Sequence, residues 1–253
     1  MDPQIFISFR PRLPLNGSHH CPAAMKPTLT AFLFAAFLFP CGPAAAAEEG
    51  FTLLFAEDGV PAGWAVRDWA DVSKAADGTP VWTVKGGVLT SSGDRGCWFL
   101  SEKEYHNFVL EYEFRLGPHG NSGLALRAPA KGDPAFDGME LQMADFRYNP
   151  QAKPSELTGG LYRALAPSAQ VYQPEQWNRM RVTLQGPKIT VVLNGKTIQD
   201  NDLSTNTTAV LRHNGTPAPA LKDRPARGRL GFQNLSRDGG QVEIRGAKIK
   251  VLE

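Results

Sequence analysis

From Phe108 to Leu116 the chain alternates without a break. Phe108, Leu110, Tyr112, Phe114 and Leu116 fall on one parity, and Glu111, Glu113 and Arg115 on the other. Successive side chains of a strand point to opposite faces, so this run predicts a long strand with one face in a core and one in water. Other segments follow the same rule. Residues 81–84 and 88–91 flank Lys85-Gly86-Gly87, a hairpin signal because glycine adopts the positive φ of tight turns. Residues 179–184, 189–193, 196–198 and 229–233 and the closing run Val242–Val251 extend the strand pattern, with Asn194-Gly195 as a second turn. No amphipathic helix intervenes, and no repeat, coiled coil or low-complexity tract follows Gly50. Many short strands without helices imply an all-β, antiparallel two-sheet sandwich in a single domain over residues 50–253. The 25 glycines and 20 prolines suit its turns. Two longer loops, residues 145–158 and 200–226, are expected around the mouth of a cleft.

Two strand-like segments differ from a solvated surface strand. In residues 120–127, Leu124 and Leu126 oppose Asn121, Gly123, Ala125 and Arg127; in residues 138–145, Met139, Leu141 and Met143 oppose Gly138, Glu140, Gln142 and Ala144. Small residues beside one Glu, one Arg and two amides leave room for a ligand. Glu140 reads either as a surface glutamate paired with an arginine or as a site carboxylate. Arg127, on the same sort of face, could orient it or bind a substrate oxygen. Asn121 and Gln142 offer planar amides to sugar hydroxyls. Asp145, just past the strand, is an acid, a metal ligand or a turn former. His119, two residues before Asn121, is an exposed turn histidine or a site residue. Trp177 before a strand reads as core, whereas Tyr162 after Gly159-Gly160 reads as a cleft aromatic.

The first 47 residues follow other rules. Lys26 after Met25, the apolar residues 29–39 and the four alanines before Glu48 make residues 25–47 a secretory signal peptide. The apolar run is well short of the roughly 20 residues a membrane span needs. Residues 1–24 then read as an upstream extension from a start codon placed too early. The expected location is the periplasm or the exterior. Cys41 offers a lipoprotein alternative, against which Pro40 argues. Removing residues 1–47 takes Arg10, Arg12, Lys26 and Asp2, so 27 basic and 25 acidic residues become 24 and 24. A neutral domain has no electrostatic footprint for nucleic acid. Cys97, between Gly96 and Trp98, reads as a small buried hydrophobe. His106, His119 and His213 form no metal-ligand spacing, and Walker, dinucleotide, GxSxG and HExxH motifs are absent.

An ordered set of segments carries a family resemblance. Trp64, Gly86-Gly87-Val88-Leu89, residues 100–105, Phe108–Leu116, Asn121-Ser122-Gly123, Glu140-Leu141-Gln142, Thr158-Gly159-Gly160-Leu161-Tyr162, Trp177-Asn178, Leu193-Asn194-Gly195 and Gly231-Phe232-Gln233 together resemble the 3-keto-disaccharide hydrolase family. The resemblance implies a concanavalin A-like jelly roll and a 3-keto-glycoside substrate. Oxidation at C3 acidifies the C2 proton, so a base removes it, the C1 leaving group departs and water adds. Placed on the matching positions, Glu140 is the base, Arg127 or a divalent cation stabilises the enolate, and Asp145 or a histidine is the acid. Asn121, Ser122, Gln142, Tyr162, Gln233 and His119 would contact substrate. Many members carry Asp-His-Gly after the last glutamine, whereas Gln233 is followed by Asn234-Leu235-Ser236. Two further readings remain, a carbohydrate-binding module of the same fold and an interaction domain of a cell-surface assembly. Acid and base groups converging on Glu140 in one cleft favour the enzyme.

Overall fold

The computed structural model describes residues 50–253. The expected signal peptide, the upstream extension and Cys41 lie outside the described residues. Fifteen strands and one short helix follow in order: β1 (Thr52–Leu53), β2 (Trp64–Asp68), β3 (Val81–Lys85), β4 (Val88–Ser92), β5 (Cys97–Tyr105), β6 (Phe108–Leu116) and β7 (Asn121–Ala128). Helix α1 (Pro134–Asp137) comes next, then β8 (Met139–Ala144), β9 (Asn178–Gln185), β10 (Lys188–Leu193) and β11 (Lys196–Asp202). The last are β12 (Val210–Leu211), β13 (Pro217–Ala218), β14 (Gly228–Asn234) and β15 (Val242–Val251).

They build two antiparallel sheets. One runs β11-β10-β9-β6-β15-β4-β3, with β1 also pairing β15, and the other runs β2-β5-β14-β7-β8. The expected sandwich is therefore present. Its interior joins Leu110, Tyr112, Phe114, Val182 and Ile244 of the first sheet to Phe99, Leu124, Leu141, Met143 and Phe232 of the second. Each such side chain contributes roughly 1.5–3 kcal/mol on burial. Trp82 lies 5.6 Å from Phe99 with the rings 7° from parallel. The Tyr112 hydroxyl donates to the Met143 sulfur at 3.3 Å, which places its one polar atom across the sheet interface. Cys97 is buried as expected, accepting from the Trp82 indole, and burial raises its thiol pKa.

Alternation placed β6 correctly, yet its polar face is not simply wet. Glu111 is only 3% exposed because Arg179, Arg181 and Lys248 close over its carboxylate. Trp177 is corrected here. It is half-buried on this outer face, between the guanidinium groups of Arg115 at 4.8 Å and Arg245 at 4.1 Å. The second sheet was harder to foresee. In β5, Cys97 through Ser101 are all buried, so the period-two signal vanishes. Residues 200–226 are likewise not one loop, since β11 continues to Asp202 and β12 pairs β13 in a small ribbon.

Candidate active site

The outward face of the five-stranded sheet forms the floor of a cavity of about 500 Å³. Small residues create it. In register, Gly123 faces Gln142 and Ala125 faces Glu140 across β7 and β8. A Cβ on Gly123 would lie 2.0 Å from Glu140 Oε1, so the carboxyl occupies space that only glycine leaves. Glu140 is 3% exposed and its Oε1 has no hydrogen-bond partner. Burial first, and the nearby Asp133 second, hold its pKa well above the usual carboxylate range. Burial thus favours the protonated carboxyl, whereas a resting base needs the ionised one.

Asp133 lines the same cavity. It caps α1, and its Oδ1 accepts from the Ala135 N–H at 2.9 Å. Burial is the main reason its pKa is pushed up to about 7; Asp137 and Asp68 add to the rise, while the Ala135 N–H and Arg212 oppose it. Two carboxyl groups thus meet in one cleft, and one of them is poised near neutrality.

Three amides stand beside them: Asn121, Gln142 and Gln233. Asn121 Oδ1 is buried without a partner. Gln142 Oε1 accepts from Met143 N at 3.0 Å, which leaves its NH₂ as the remaining donor. Trp69, Tyr148 and Tyr162 supply rings for the apolar face of a sugar. Tyr148 is braced, receiving a bond from Arg95 Nη2 at 3.1 Å while Arg237 lies 4.5 Å over its ring. The ribbon β12–β13 brings in His213, which packs against Trp69, Phe136 and Tyr162; burial, then Arg163, lower its pKa.

Glu140, Asn121, Gln142, Tyr162 and Gln233 are thus brought together, and both longer loops reach the cavity, through Tyr148 and His213. Four expected positions are corrected. Arg127 sits at a β-bulge, where Ala125 and Ala128 of β7 oppose Gly231 and Arg229 of β14. Its φ of 54° breaks the alternation and turns the side chain away, to Gly186 O at 2.6 Å. Ser122 faces the core opposite Met143 and is fully buried. Asp145 lines a smaller adjoining pocket, but Arg147 clasps both its oxygens and Tyr172 donates to one. Although burial opposes the change, these partners lower its pKa, so it carries no proton to donate at neutral pH. His119 is in an exposed turn with its Nδ1 3.0 Å from Asp238.

The sequence reading missed Asp133, Arg95, Tyr148, His213 and Arg237. Only Asp133 had a local signal, since Asp followed by Pro is a helix-start pattern. A divalent cation finds no ready cradle: among the described residues no three His, Cys, Asp or Glu side chains gather to hold a metal ion. No helix among them is long and apolar enough to cross a membrane.

Solved structures share this architecture. A protein from Parabacteroides distasonis described as a candidate glycosyl hydrolase is 29% identical, with a TM-score of 0.60 over 68% of this chain and 90% of its own. A second such protein from the same organism is 24% identical, with a TM-score of 0.61 over 81% of this chain and 95% of its own, and it bears on the fold alone. No curated protein matches the chain. The profile of the 3-keto-alpha-glucoside-1,2-lyase-like domain matches residues 50–250, and with that span covered the chain belongs to this family.

Proposed function

We propose that the protein is an exported enzyme that cleaves 3-keto-glycosides by elimination across C1 and C2, followed by hydration. The observation that carries this reading is the meeting of Glu140 and Asp133 in a cleft that also offers amides and aromatic rings. A binding module needs the amides and rings but gains nothing from a buried and a half-buried carboxyl group side by side, whose desolvation is costly. Family membership and the 29% identical relative support a carbohydrate substrate.

The chemistry sets the requirements. A ketone at C3 lets a carboxylate remove the C2 proton, the electron pair passing to the C3 oxygen. As the carbonyl re-forms, C1=C2 appears and the C1–O bond breaks, its oxygen taking a proton from an acid. Arg95 and Arg237 at the cavity wall give positive charge near a developing enolate, in place of Arg127. Water then adds OH at C1 and hydrogen at C2. An ordinary glycosidase has no need of the ketone. Methyl 3-keto-α-glucoside should therefore be cleaved and methyl α-glucoside left intact, with solvent deuterium at C2 of the product by NMR. Equal turnover of both, or no deuterium at C2, would exclude elimination.

A further inference from the structure

We infer that Asp133 is the base that removes the C2 proton and Glu140 the acid that protonates the leaving oxygen, a division that rests on the elimination reading above. The hydrogen-bond inventory assigns the roles. Asp133 receives the Ala135 N–H at 2.9 Å, a contact that favours its ionised form, and its carboxyl borders the cavity. Glu140 Oε1 has no donor at all, so nothing compensates a buried negative charge there. The charged and titratable groups around Asp133 are Asp68 of β2, Asp137 of α1, Glu140 of β8, Arg212 of the ribbon and Arg224 before β14. Burial, Asp137 and Asp68 oppose the anion, the Ala135 N–H and Arg212 favour it, and the balance places Asp133 at about 7, while burial without a donor favours the protonated form of Glu140. The resting pair is then one carboxylate and one carboxylic acid, as elimination requires.

The cycle balances. Asp133 takes the C2 proton, and Glu140 gives its proton to the departing alcohol. In hydration Glu140, now ionised, takes a proton from water as the oxygen bonds C1, and Asp133 returns a proton to C2. Both groups regain their starting states, and exchange of the Asp133 proton with solvent puts deuterium at C2.

Leaving-group dependence separates the two roles. Asp133→Asn keeps a good helix cap, and Glu140→Gln keeps size and shape. With methyl 3-keto-α-glucoside, whose leaving group needs a proton, both variants should lose at least about a hundredfold in kcat. With 4-nitrophenyl 3-keto-α-glucoside, whose leaving group departs as the anion, Glu140→Gln should recover to within about tenfold of wild type and Asp133→Asn should not. Formate should restore part of the activity of Asp133→Gly, because it supplies the missing carboxylate in a site whose cap glycine tolerates. Asp133→Asn that spares the nitrophenyl substrate, activity within a few-fold of wild type on both, or a folded Asp133→Gly that formate does not rescue would overturn the assignment. A wild-type enzyme inactive on both 3-keto substrates would overturn the elimination reading itself, and this inference with it.

Discussion

At Gly123 the site depends on an atom that is missing. The Glu140 carboxyl packs where a Cβ would sit, 2.0 Å from Oε1, so Gly123→Ala must push the carboxyl aside or displace β7. Overpacking of this kind costs typically 1–3 kcal/mol. We expect a folded variant with a lowered melting temperature and at least about a tenfold loss of kcat, checked by thermal denaturation and the 3-keto-glucoside assay. The sequence made this position legible, because alternating small residues marked the face on which Glu140 stands. It hid Arg127 for a physical reason. One extra residue in β7, at positive φ, reverses every side chain beyond it, and an Arg carries no local signal for such a bulge. Asp145 was misread on different grounds: Arg147, two residues on, was available to neutralise it, and only the loop's geometry brings the two into contact.

Elements were legible in proportion to how strictly apolar and polar or small residues alternate along them. β6 and β15 alternate and were foreseen, although Phe108 to Tyr112 of β6 are all buried; β5 opens on the unbroken apolar run Cys97 to Leu100 and was not. The ribbon β12–β13 is too short for any period, and tertiary contacts hold it. Arg212 donates to both Asp137 oxygens, at 2.6 and 2.9 Å, and Arg163 donates to Leu211 O at 2.9 Å. These bonds fix His213 against the aromatic wall of the cleft. In Arg212→Gln the ribbon loses its clasp to α1, and the wall loses its register. KM for the 3-keto-glucoside should rise by about tenfold while kcat changes less, a pattern read directly from initial rates. The same variant removes a cation that holds the Asp133 pKa down, so the acidic limb of its pH–rate profile should move to higher pH.

For the whole molecule, the two raised carboxyl groups link stability to pH. Their folded pKa values lie above the unfolded ones, so each contribution is fully present below the ordinary carboxylate range and is lost as pH rises through the folded value. For Asp133 that window runs from about 4 to about 7, and Glu140 extends it in the same direction. Asp71, Asp137, Asp145 and Asp202 are shifted down instead. They weaken the fold only as pH falls through their own lowered values. We therefore expect the melting temperature of the wild type to decline between pH 5 and 8, and that of Glu140→Gln with Asp133→Asn to decline by several degrees less. Parallel curves would show that neither carboxyl is perturbed.

The order of strands in the larger sheet also sets a timetable. β15, near the end of the chain, lies between β6 and β4 and pairs β1 as well. A nascent polypeptide still held at the ribosome before Val242 has emerged can pair β3 with β4 and β6 with β9, but it has nothing to join those two halves. Closure of the larger sheet thus waits for β15 to emerge and for contacts of high sequence separation. Translation errors that stop short of that strand yield fragments with open edges, suited to degradation or aggregation rather than partial function.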